Sequence, residues 1–366
     1  MTKTKEADYV LITSVAVLLL FGLMMLSSAS AAVGHERFGD SYFFIKRQLL
    51  YGVLPGIAAF FFFAKLPYAQ LKRMSPWLYV ASLILLLLVF IPGIGSSLGT
   101  GAQSWILLGG FSFQPAEVAK LGLLLFFAWY LARLGPRLSH LANGFIPALL
   151  YGFLPVALVI LQPDIGTVSL LFGMVFGMLF LARAKLRHLL ILAVAGVVVL
   201  GLMVLLAPYR AARLTTFLHP ELDPQGIGYH INQAFLAVGS GGWFGLGFGH
   251  SRQKFQYLPE VHADSIFAVI AEEMGFVFAL GAVALIACIA WRGLSIARRA
   301  PDDYGRLLAG GAVLFLFLQS LINIGAMVGL MPLTGLPLPL VSHGGTALIV
   351  ALSAVGLLVN VSKQRT

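Results

Sequence analysis

The chain has 366 residues, of which 59% are hydrophobic and only 10% are charged, and its formal net charge is +10. Soluble domains average roughly 25% charged residues, so a water-soluble chain of this length could not hide so much apolar surface. The positive charge could suggest nucleic-acid binding, but the basic residues come in twos and threes between long apolar runs, as topology signals do. The composition therefore predicts a membrane protein and excludes nucleic acid as its partner.

Ten apolar runs are long enough, at about 20 residues, to cross a bilayer as helices. They cover residues 9–31, 48–64, 76–93, 115–132, 145–161, 166–182, 188–207, 264–291, 307–330 and 343–361. The first run is too long for the apolar part of a secretory signal and lacks a cleavage pattern, so it is predicted to span the membrane. We therefore predict an all-α polytopic membrane protein of about ten transmembrane helices, with residues 1–366 forming a single membrane domain.

The distribution of Lys and Arg predicts the orientation, because cytoplasmic segments of membrane proteins are enriched in these residues. With the N-terminus in the cytoplasm, cytoplasmic segments hold sixteen of the 24 basic residues and outer segments hold seven, while Lys120 lies within a helix. Both termini are therefore predicted to be cytoplasmic, and the long loop of residues 208–263 is predicted to lie outside. The single cysteine, Cys288, can form no internal disulfide, which fits a bacterial plasma-membrane protein.

Acidic residues gather at the predicted outer face, although they have little influence on topology. They are Glu36, Asp40, Asp164, Glu221, Asp223, Glu260 and Asp264. Asp164 lies in a predicted tight turn, where it could cap the following helix. The concentration of the others beside several basic residues predicts a polar site on the outer surface.

The long outer loop opens with Arg210 and Arg213, whose spacing puts them on one face if the preceding helix continues. Guanidinium groups offer paired planar donors that suit a phosphate or diphosphate. The alternative is that both side chains extend to the membrane interface with no ligand. The pair alone leaves these two interpretations open.

Six glycines follow among the eleven residues from Gly239 to Gly249. The segment lacks the Gly-x-Gly-x-x-Gly spacing and lies at the outer face, so it is not a dinucleotide site. Glycine permits positive φ and close backbone approach. The segment is predicted to be either a packed re-entrant loop or a loop that contacts substrate.

Asp264 lies at the predicted start of the eighth helix, within ten residues of Lys254, Glu260 and His262. Its simplest role would be that of a helix N-cap. The crowding of ionisable residues at the mouth of a membrane helix instead favours a functional site. Partial desolvation would raise the pKa of Asp264, whereas the helix dipole and nearby cations would lower it, and the sequence does not decide between them.

Two groups of ionisable residues fall inside predicted spans, where such residues are costly and usually paired or functional. Glu117 and Lys120 follow Gln114 at the start of the fourth helix, and their spacing of three is compatible with an ion pair. Glu272 and Glu273 lie two turns beyond Asp264 and could bind a cation, line a cavity or anchor a neighbouring helix.

Several long motifs, in order along nearly the whole chain, resemble those of the SEDS family (shape, elongation, division and sporulation). The matching segments are 114–120, 162–167, 239–245, 254–275 and 323–345. The opening Ala-Asp-Tyr…Ser-Ser-Ala-Ser and the ending Gly-Leu-Leu-Val-Asn-Val-Ser favour an FtsW-like member over a RodA-like one.

Three departures from the family motifs stand out. His262-Ala-Asp-Ser265 replaces His-Thr-Asp-Phe, and Ser342-His-Gly-Gly345 replaces Ser-Tyr-Gly-Gly. Gly101-Ala-Gln-Ser-Trp105 replaces Gly-Ala-Arg-Arg-Trp, so this chain lacks the arginine pair through which that outer loop would contact a substrate or partner.

The resemblance implies a peptidoglycan glycosyltransferase that polymerises lipid II at the outer face of the bacterial plasma membrane, in cell division or elongation. It further implies an inverting reaction with Asp264 as general base, an undecaprenyl-diphosphate-linked glycan as donor, and a class B penicillin-binding protein transpeptidase as partner. The predicted substrate-contacting residues are Arg210, Arg213, Lys254, Glu260, His262, Glu117, Lys120, Gln114 and Ser342. The candidate cofactor is a divalent cation, Mg²⁺ or Mn²⁺, and the outer histidines show no zinc-type spacing.

Two other classes of function fit parts of the sequence. A flippase or transporter for a lipid-linked precursor would need a polar route through the membrane, which Glu117, Lys120, Glu272 and Glu273 could line. A scaffold that only recruits a partner would need neither a base nor a route. The chemical product, sugar polymer or translocated lipid, distinguishes these alternatives.

Overall fold

The protein was analysed as a computed structural model, which describes residues 6–97, 103–108, 111–205, 208–223, 226–255 and 257–364. The α-helices are α1 (Tyr9–Phe38), α2 (Phe43–Gln48), α3 (Leu54–Lys65), α4 (Tyr68–Leu88), α5 (Pro115–Leu134), α6 (Ile146–Leu161), α7 (Ile165–Leu181), α8 (Leu186–Leu205), α9 (Pro208–Leu218), α10 (Ile227–Ser240), α11 (Ile266–Arg298), α12 (Asp303–Met327) and α13 (Gly345–Lys363). Single π-helical turns, Leu49–Val53 and Leu141–Phe145, lead into α3 and α6, and 3₁₀ turns cover Gly135–Ser139 and Pro220–Leu222.

The membrane spans agree with the hydropathy pattern. In the described residues, eight helical stretches are long and apolar enough to cross a bilayer, and α7 and Leu186–Val199 of α8 are shorter apolar helices. Each of the ten predicted spans coincides with one of these, which confirms the polytopic all-α fold. The first span is longer than predicted, because α1 continues past its apolar run until Gly39 adopts the left-handed conformation (φ 67°) that ends it.

The two ends of the described chain meet at one face of the molecule. The backbone N–H of Asp8 donates to Ser362 Oγ (3.3 Å), and the Asp8 carboxylate accepts from Arg292 Nη2 (2.6 Å). Asp8 also caps α1 by accepting from the N–H of Leu11 (3.1 Å). An even number of spans is required for this meeting, in agreement with the prediction that both termini lie on the same side.

The centre of the bundle is formed by α12, which packs against α5, α7, α11 and α13. Large side chains of α12 such as Phe315 and Leu308 are fully buried. Peripheral helices instead expose apolar side chains, such as Trp77 of α4 and Val197 of α8, where lipid would surround them. The polar side chains near the outer end of α12 therefore lie in the protein interior.

The region predicted to be a long outer loop, residues 208–263, contains two helices, α9 and α10. A small antiparallel sheet, which was not predicted, lies before α5. Its strands are β1 (Gly95–Ser96), β2 (Trp105–Leu108) and β3 (Phe111–Phe113), in the order β1-β2-β3. Ile106 of β2 pairs with Gly95 on one side and with Phe113 on the other.

Candidate active site at the outer end of α11

The helix that follows Asp264 is broken, and the glycine-rich segment packs into the break. Gly275 of α11 has φ 76° and ψ −178°, which interrupts the helical hydrogen bonds. The N–H groups of Leu246 and Gly247 donate to the carbonyls of Glu272 and Glu273, each at 3.0 Å. A Cβ on Gly245 would lie 2.2 Å from the Glu273 carbonyl oxygen, so only glycine permits this approach. The segment is thus packed against a helix, as one of the two interpretations predicted.

The carboxylates of Glu272 and Glu273 bind the segment that follows the glycines. Glu273 is fully buried and accepts from Ser28 Oγ (2.7 Å) and from the N–H groups of Gly249 (3.1 Å) and Ser251 (3.3 Å). Glu272 accepts from Ser251 Oγ (2.5 Å) and from the N–H of Arg252 (2.9 Å). We call Ser28, Ser251, Lys254, Glu272 and Glu273 the glutamate cluster. Of the predicted roles for the acidic pair, the geometry favours anchoring.

Lys254 supplies the positive charge of this cluster. Its Nζ lies 2.8 Å from Glu273 Oε1, 2.7 Å from the Gly249 carbonyl and 3.0 Å from Ser28 Oγ, and the residue is 5% exposed. An ammonium group has three donors, and all three are used here. The structure therefore favours an internal role for Lys254, and the predicted diphosphate contact would require its release from Glu273.

Asp264 lies immediately before α11 but is not its N-cap, because Ser265 occupies that position. The Asp264 carbonyl accepts from Asn323 Nδ2 of α12 (2.7 Å). Ser265 donates from Oγ to the Pro259 carbonyl (2.9 Å) and lies 2.8 Å from His230 Nε2. The N-cap interpretation of Asp264 is therefore not supported, and its backbone is instead held by a neighbouring helix.

Burial sets the charge state of Asp264. The side chain is partly buried, and desolvation raises the pKa of its carboxyl to about 7, with the Glu260 carboxylate acting in the same direction. A hydrogen bond from Ser265 Oγ to Asp264 Oδ1 (3.3 Å) acts in the opposite direction. Desolvation thus outweighs the hydrogen bonds that favour the charged form of Asp264. A carboxyl with a pKa near 7 suits general base catalysis at neutral pH.

Two imidazoles and one phenyl ring form an aromatic layer beside Asp264. The ring of Phe44 lies 4.2 Å from that of His262 and 5.2 Å from that of His343, centroid to centroid. Burial lowers the pKa of His262 to about 4, with Arg37 contributing, and that of His343 to about 3, with His262 and Arg47 contributing. Both imidazoles are therefore neutral at physiological pH and do not act there as cations.

The irregular segment 331–344, which we call the outer segment, brings Ser342 to this layer. The N–H of His343 donates to the His262 carbonyl (2.8 Å), which ties the outer segment to the Asp264 loop. Ser342 is buried, and its Oγ accepts from the N–H of Leu338 (2.8 Å). Gln48 of α2 donates to the Ser342 carbonyl (3.1 Å). Ser342 therefore stabilises the backbone of the outer segment through these hydrogen bonds.

Glu117 and Lys120 form a closed ion pair inside the bundle. Lys120 Nζ lies 2.6 Å from Glu117 Oε1 and 2.9 Å from Gln319 Oε1, and both charged residues are at most 1% exposed. Gln114, partly buried, precedes α5 at its N-cap position. The pairing agrees with the ion-pair interpretation, and the two charges offer no surface to a substrate in this arrangement.

The remaining predicted contacts lie at the edges of the site. Glu260 has a largely exposed side chain whose Oε2 lies 3.8 Å from His262 Nε2. The backbones of Arg210 and Arg213 lie in α9, as the helical spacing requires, while their side chains fall outside the described part of the structure. Asp164 accepts from the N–H of Thr167 (3.0 Å) and caps α7, as predicted.

A groove of about 770 Å³ opens between the outer end of α1 and the segment that follows the glycines. Ala31, Ala32, Phe248 and Phe255 give it apolar walls, and Lys254 lies in its lining. Asp264 is not part of this lining. The groove therefore adjoins the glutamate cluster rather than the carboxyl of Asp264.

The fold and site together define a polytopic helical membrane protein with a carboxyl of near-neutral pKa at the outer mouth of a broken helix. The profile of the FtsW/RodA/SpoVE family of cell cycle proteins matches residues 9–366. The chain belongs to this family, which confirms the resemblance that its motifs indicated.

Similar proteins cover the full length of the chain. Stage V sporulation protein E of Bacillus subtilis is 42% identical, over 99% of this chain and 98% of its own length. A probable peptidoglycan glycosyltransferase FtsW of a Thioalkalivibrio species is 40% identical, over 98% and 90% of the two chains. Among solved structures, the rod shape determining protein RodA of Thermus thermophilus matches with a TM-score of 0.73 at 31% identity, over 98% and 97%. A chain of a peptidoglycan synthase complex matches with a TM-score of 0.82 at 31% identity, over 97% of both chains.

Sequence reasoning missed several residues that hold the site together. Phe44, Gln48 and His230 lie far from Asp264 along the chain and outside the matching motifs, and Asn323 begins the matching segment 323–345 but was not assigned a role. The one available signal was Asn323, a polar residue within an apolar span, where buried amides are usually hydrogen-bonded.

Proposed function

We propose that this protein is a peptidoglycan glycosyltransferase that polymerises lipid II into glycan strands at the outer face of the bacterial plasma membrane. The observation that carries the proposal is Asp264, a partly buried carboxyl with a pKa of about 7 at the outer end of α11. Two relatives that match 98% and 100% of this chain are named probable peptidoglycan glycosyltransferase FtsW, and these names support the reaction class.

In the proposed reaction, the Asp264 carboxylate accepts the proton of the acceptor hydroxyl on lipid II. The hydroxyl oxygen then bonds to the anomeric carbon of the donor glycan as the bond from that carbon to the diphosphate breaks. Undecaprenyl diphosphate leaves with the bonding electron pair, and direct displacement inverts the anomeric centre. Base catalysis of this kind contributes typically about 10²–10⁴-fold, and holding both lipids in the membrane lowers the entropic cost of their meeting.

The leaving diphosphate requires positive charge, for which Arg210 and Arg213 on α9 are the candidates. Lys254 is a weaker candidate than the sequence suggested, because its ammonium is already paired with Glu273. Arg213→Ala is expected to raise the concentration of lipid II required for half-maximal polymerisation. An unchanged dependence on lipid II would remove Arg213 from this role.

The use of a divalent cation in the reaction is proposed separately from the role of Asp264. In the described residues, no three His, Cys, Asp or Glu side chains converge closely enough to hold a metal ion. The protein residues placed by the structure therefore do not form a metal site by themselves, and the proton transfer proposed for Asp264 does not need one. Polymerisation measured with Mg²⁺, with Mn²⁺ and with a chelator would establish the requirement.

A class B penicillin-binding protein is the proposed partner. The likeness to a chain of a synthase complex described as coordinating polymerization and crosslinking supports this proposal. Adding a purified partner of this class is expected to raise the polymerisation rate. An equal rate with and without it would limit its role to crosslinking.

The flippase alternative is not favoured. Glu117 and Lys120 pair with each other, while Glu272 and Glu273 bind the loop that follows the glycines, so the four residues belong to two separate hydrogen-bonded clusters. A polar route would instead require these groups to line one connected path.

The test is product formation from lipid II by the purified protein in lipid vesicles. We expect polymer that a muramidase digests to disaccharide units. Translocated lipid II without any glycosidic bond would contradict the proposal. The Asp264→Asn variant, shown to be folded by its melting temperature, is expected to polymerise at least about 10²-fold more slowly than the wild type.

A further inference from the structure

The outer segment has little regular structure of its own and must be held by other parts of the protein. Backbone polar groups that are buried need partners, and an irregular segment cannot supply them all itself. Side-chain amides do so at three places here. Gln319 Nε2 donates to the Pro337 carbonyl (2.8 Å), and Asn323 Nδ2 donates to the Leu336 carbonyl (2.8 Å). Gln48 binds both the Ser342 carbonyl and the N–H of Gly344.

Asn323 differs from the two glutamines because it also binds the Asp264 loop. The same Nδ2 that reaches Leu336 donates to the Asp264 carbonyl at 2.7 Å. A carboxamide nitrogen has two hydrogens, so one group can serve both carbonyls. Asn323 is 1% exposed and lies near the outer end of α12, the helix at the centre of the bundle. It therefore joins the residue that carries the base to the outer segment.

We propose that Asn323 is a positioning residue for the glycosyl transfer, acting through the backbone of Asp264. This inference rests on the proposed role of Asp264 as the base. Asn323 is buried, and both hydrogens of its amide are used on protein carbonyls, so its proposed effect on the reaction is transmitted through Asp264. Reactive groups must be held to within about half an ångström, and a misplacement of about 1 Å can cost about 10²-fold in rate. Release of the Asp264 carbonyl would shift the carboxyl away from the acceptor hydroxyl.

The chain contains a matched control at the opposite end of the bundle. Asn360 of α13 is 3% exposed, and its Nδ2 donates to the carbonyls of Phe63 and Leu66, each at 2.7 Å. Asn360 thus makes the same two bonds with the same burial. It lies near Ser362, which contacts Asp8 at the end of the molecule where the chain termini meet. A purely structural role would make the two asparagines equivalent in a polymerisation assay.

The experiment compares Asn323→Ala with Asn360→Ala in full-length purified protein, using melting temperature and the kcat and KM for lipid II. Both variants are expected to melt at similarly reduced temperatures. Below that temperature, Asn323→Ala should lose at least about tenfold in kcat, whereas Asn360→Ala should keep kcat within about twofold. A wild-type kcat in folded Asn323→Ala, or equal kcat losses in the two variants, would overturn the proposal.

Asn323→Asp keeps the experiment decisive if the alanine variant does not fold. An aspartic acid has the same shape and, when protonated, one O–H donor, so it can keep only one of the two bonds. Its kcat is expected to be reduced and its KM unchanged; a wild-type kcat would contradict the positioning role. Asp264→Asn, measured beside it, separates the two claims. Normal polymerisation by Asp264→Asn would refute the base itself, whereas an inactive Asp264→Asn with a fully active Asn323→Asp would refute only the positioning role.

Discussion

Two buried polar regions lie within ten residues of each other along the chain, and they are satisfied to different degrees. In the glutamate cluster, every carboxylate oxygen of Glu272 and Glu273 accepts at least one hydrogen bond. The Asp264 carboxylate, by contrast, has Ser265 Oγ as its side-chain donor, 3.3 Å from Oδ1, and that hydroxyl also donates to the Pro259 carbonyl at 2.9 Å.

The difference in hydrogen bonding indicates which of these carboxylates has a structural role and which can take part in a reaction. Both regions contain carboxylates at the outer end of one helix, and composition alone does not separate them. In the glutamate cluster, the carboxylates accept hydrogen bonds from the segment after the glycines and so hold the glycine-rich loop in the break of α11. At Asp264 the desolvation is not compensated, and the pKa of the carboxyl rises to about 7. We therefore assign the proposed proton exchange with a substrate to Asp264, whose charged form the protein stabilises less.

The largest effect is expected from removal of the base. Asp264→Asn should lower kcat for polymerisation by about 10²–10⁴-fold, because an amide cannot accept the proton of the acceptor hydroxyl. Asp164→Asn makes the same chemical change at a helix cap of the outer face, where asparagine also serves. Gel analysis of the product should show polymer for Asp164→Asn only. Equal activity in the two variants would contradict the assignment of Asp264 as the base.

The next largest effect is expected in the stability of the glutamate cluster. Lys254→Met leaves the buried Glu273 without its cation and should lower the free energy of unfolding by about 3–5 kcal/mol. Lys46→Met removes an equally close but exposed ion pair with Asp40 and should leave the melting temperature unchanged. Thermal unfolding in detergent measures both. Similar melting temperatures for the two variants would show that the cluster does not hold the loop.

A smaller effect is expected from Ser265, whose single hydroxyl hydrogen is shared between the Pro259 carbonyl (2.9 Å) and Asp264 Oδ1 (3.3 Å) and lowers the pKa of the Asp264 carboxyl. In Ser265→Ala this effect is lost, so the pKa of Asp264 should rise further. The midpoint of the rise of kcat with pH should then move to higher pH by a fraction of a unit. Ser353→Ala removes another buried hydroxyl, in α13, and should leave the midpoint in place. A midpoint that moves to lower pH in Ser265→Ala would contradict this electrostatic description.

The spans were predictable because hydropathy reports which solvent surrounds a helix, and lipid leaves a signal about 20 residues long. The same signal cannot show where α1 ends, since its polar outer turns continue to the left-handed Gly39. It also missed α9, α10 and the three short strands, which lie outside the apolar runs. Helices and strands outside the bilayer depend on local hydrogen bonding and packing, which leave no long apolar run in the sequence.

The candidate site was predictable only in part. Motifs and the crowding of charges singled out Asp264, but the same reasoning linked Lys254 to substrate and not to Glu273. That pairing depends on the break at Gly275, which brings the loop back onto α11. The contacts of Asp264 with Asn323, and of His262 with Phe44, join residues tens to hundreds of positions apart. Such contacts follow from the packing of whole helices, which a single sequence does not specify.

The most direct test of the central claim is the pH dependence of kcat for polymerisation by the wild-type protein at saturating lipid II. A base works in its deprotonated form, so kcat should be low at acidic pH and rise to half its maximum near the Asp264 pKa of about 7. A rate that is flat across neutrality, or a midpoint near about 4, the ordinary value for an aspartate, would contradict the assignment of Asp264 as the desolvated base.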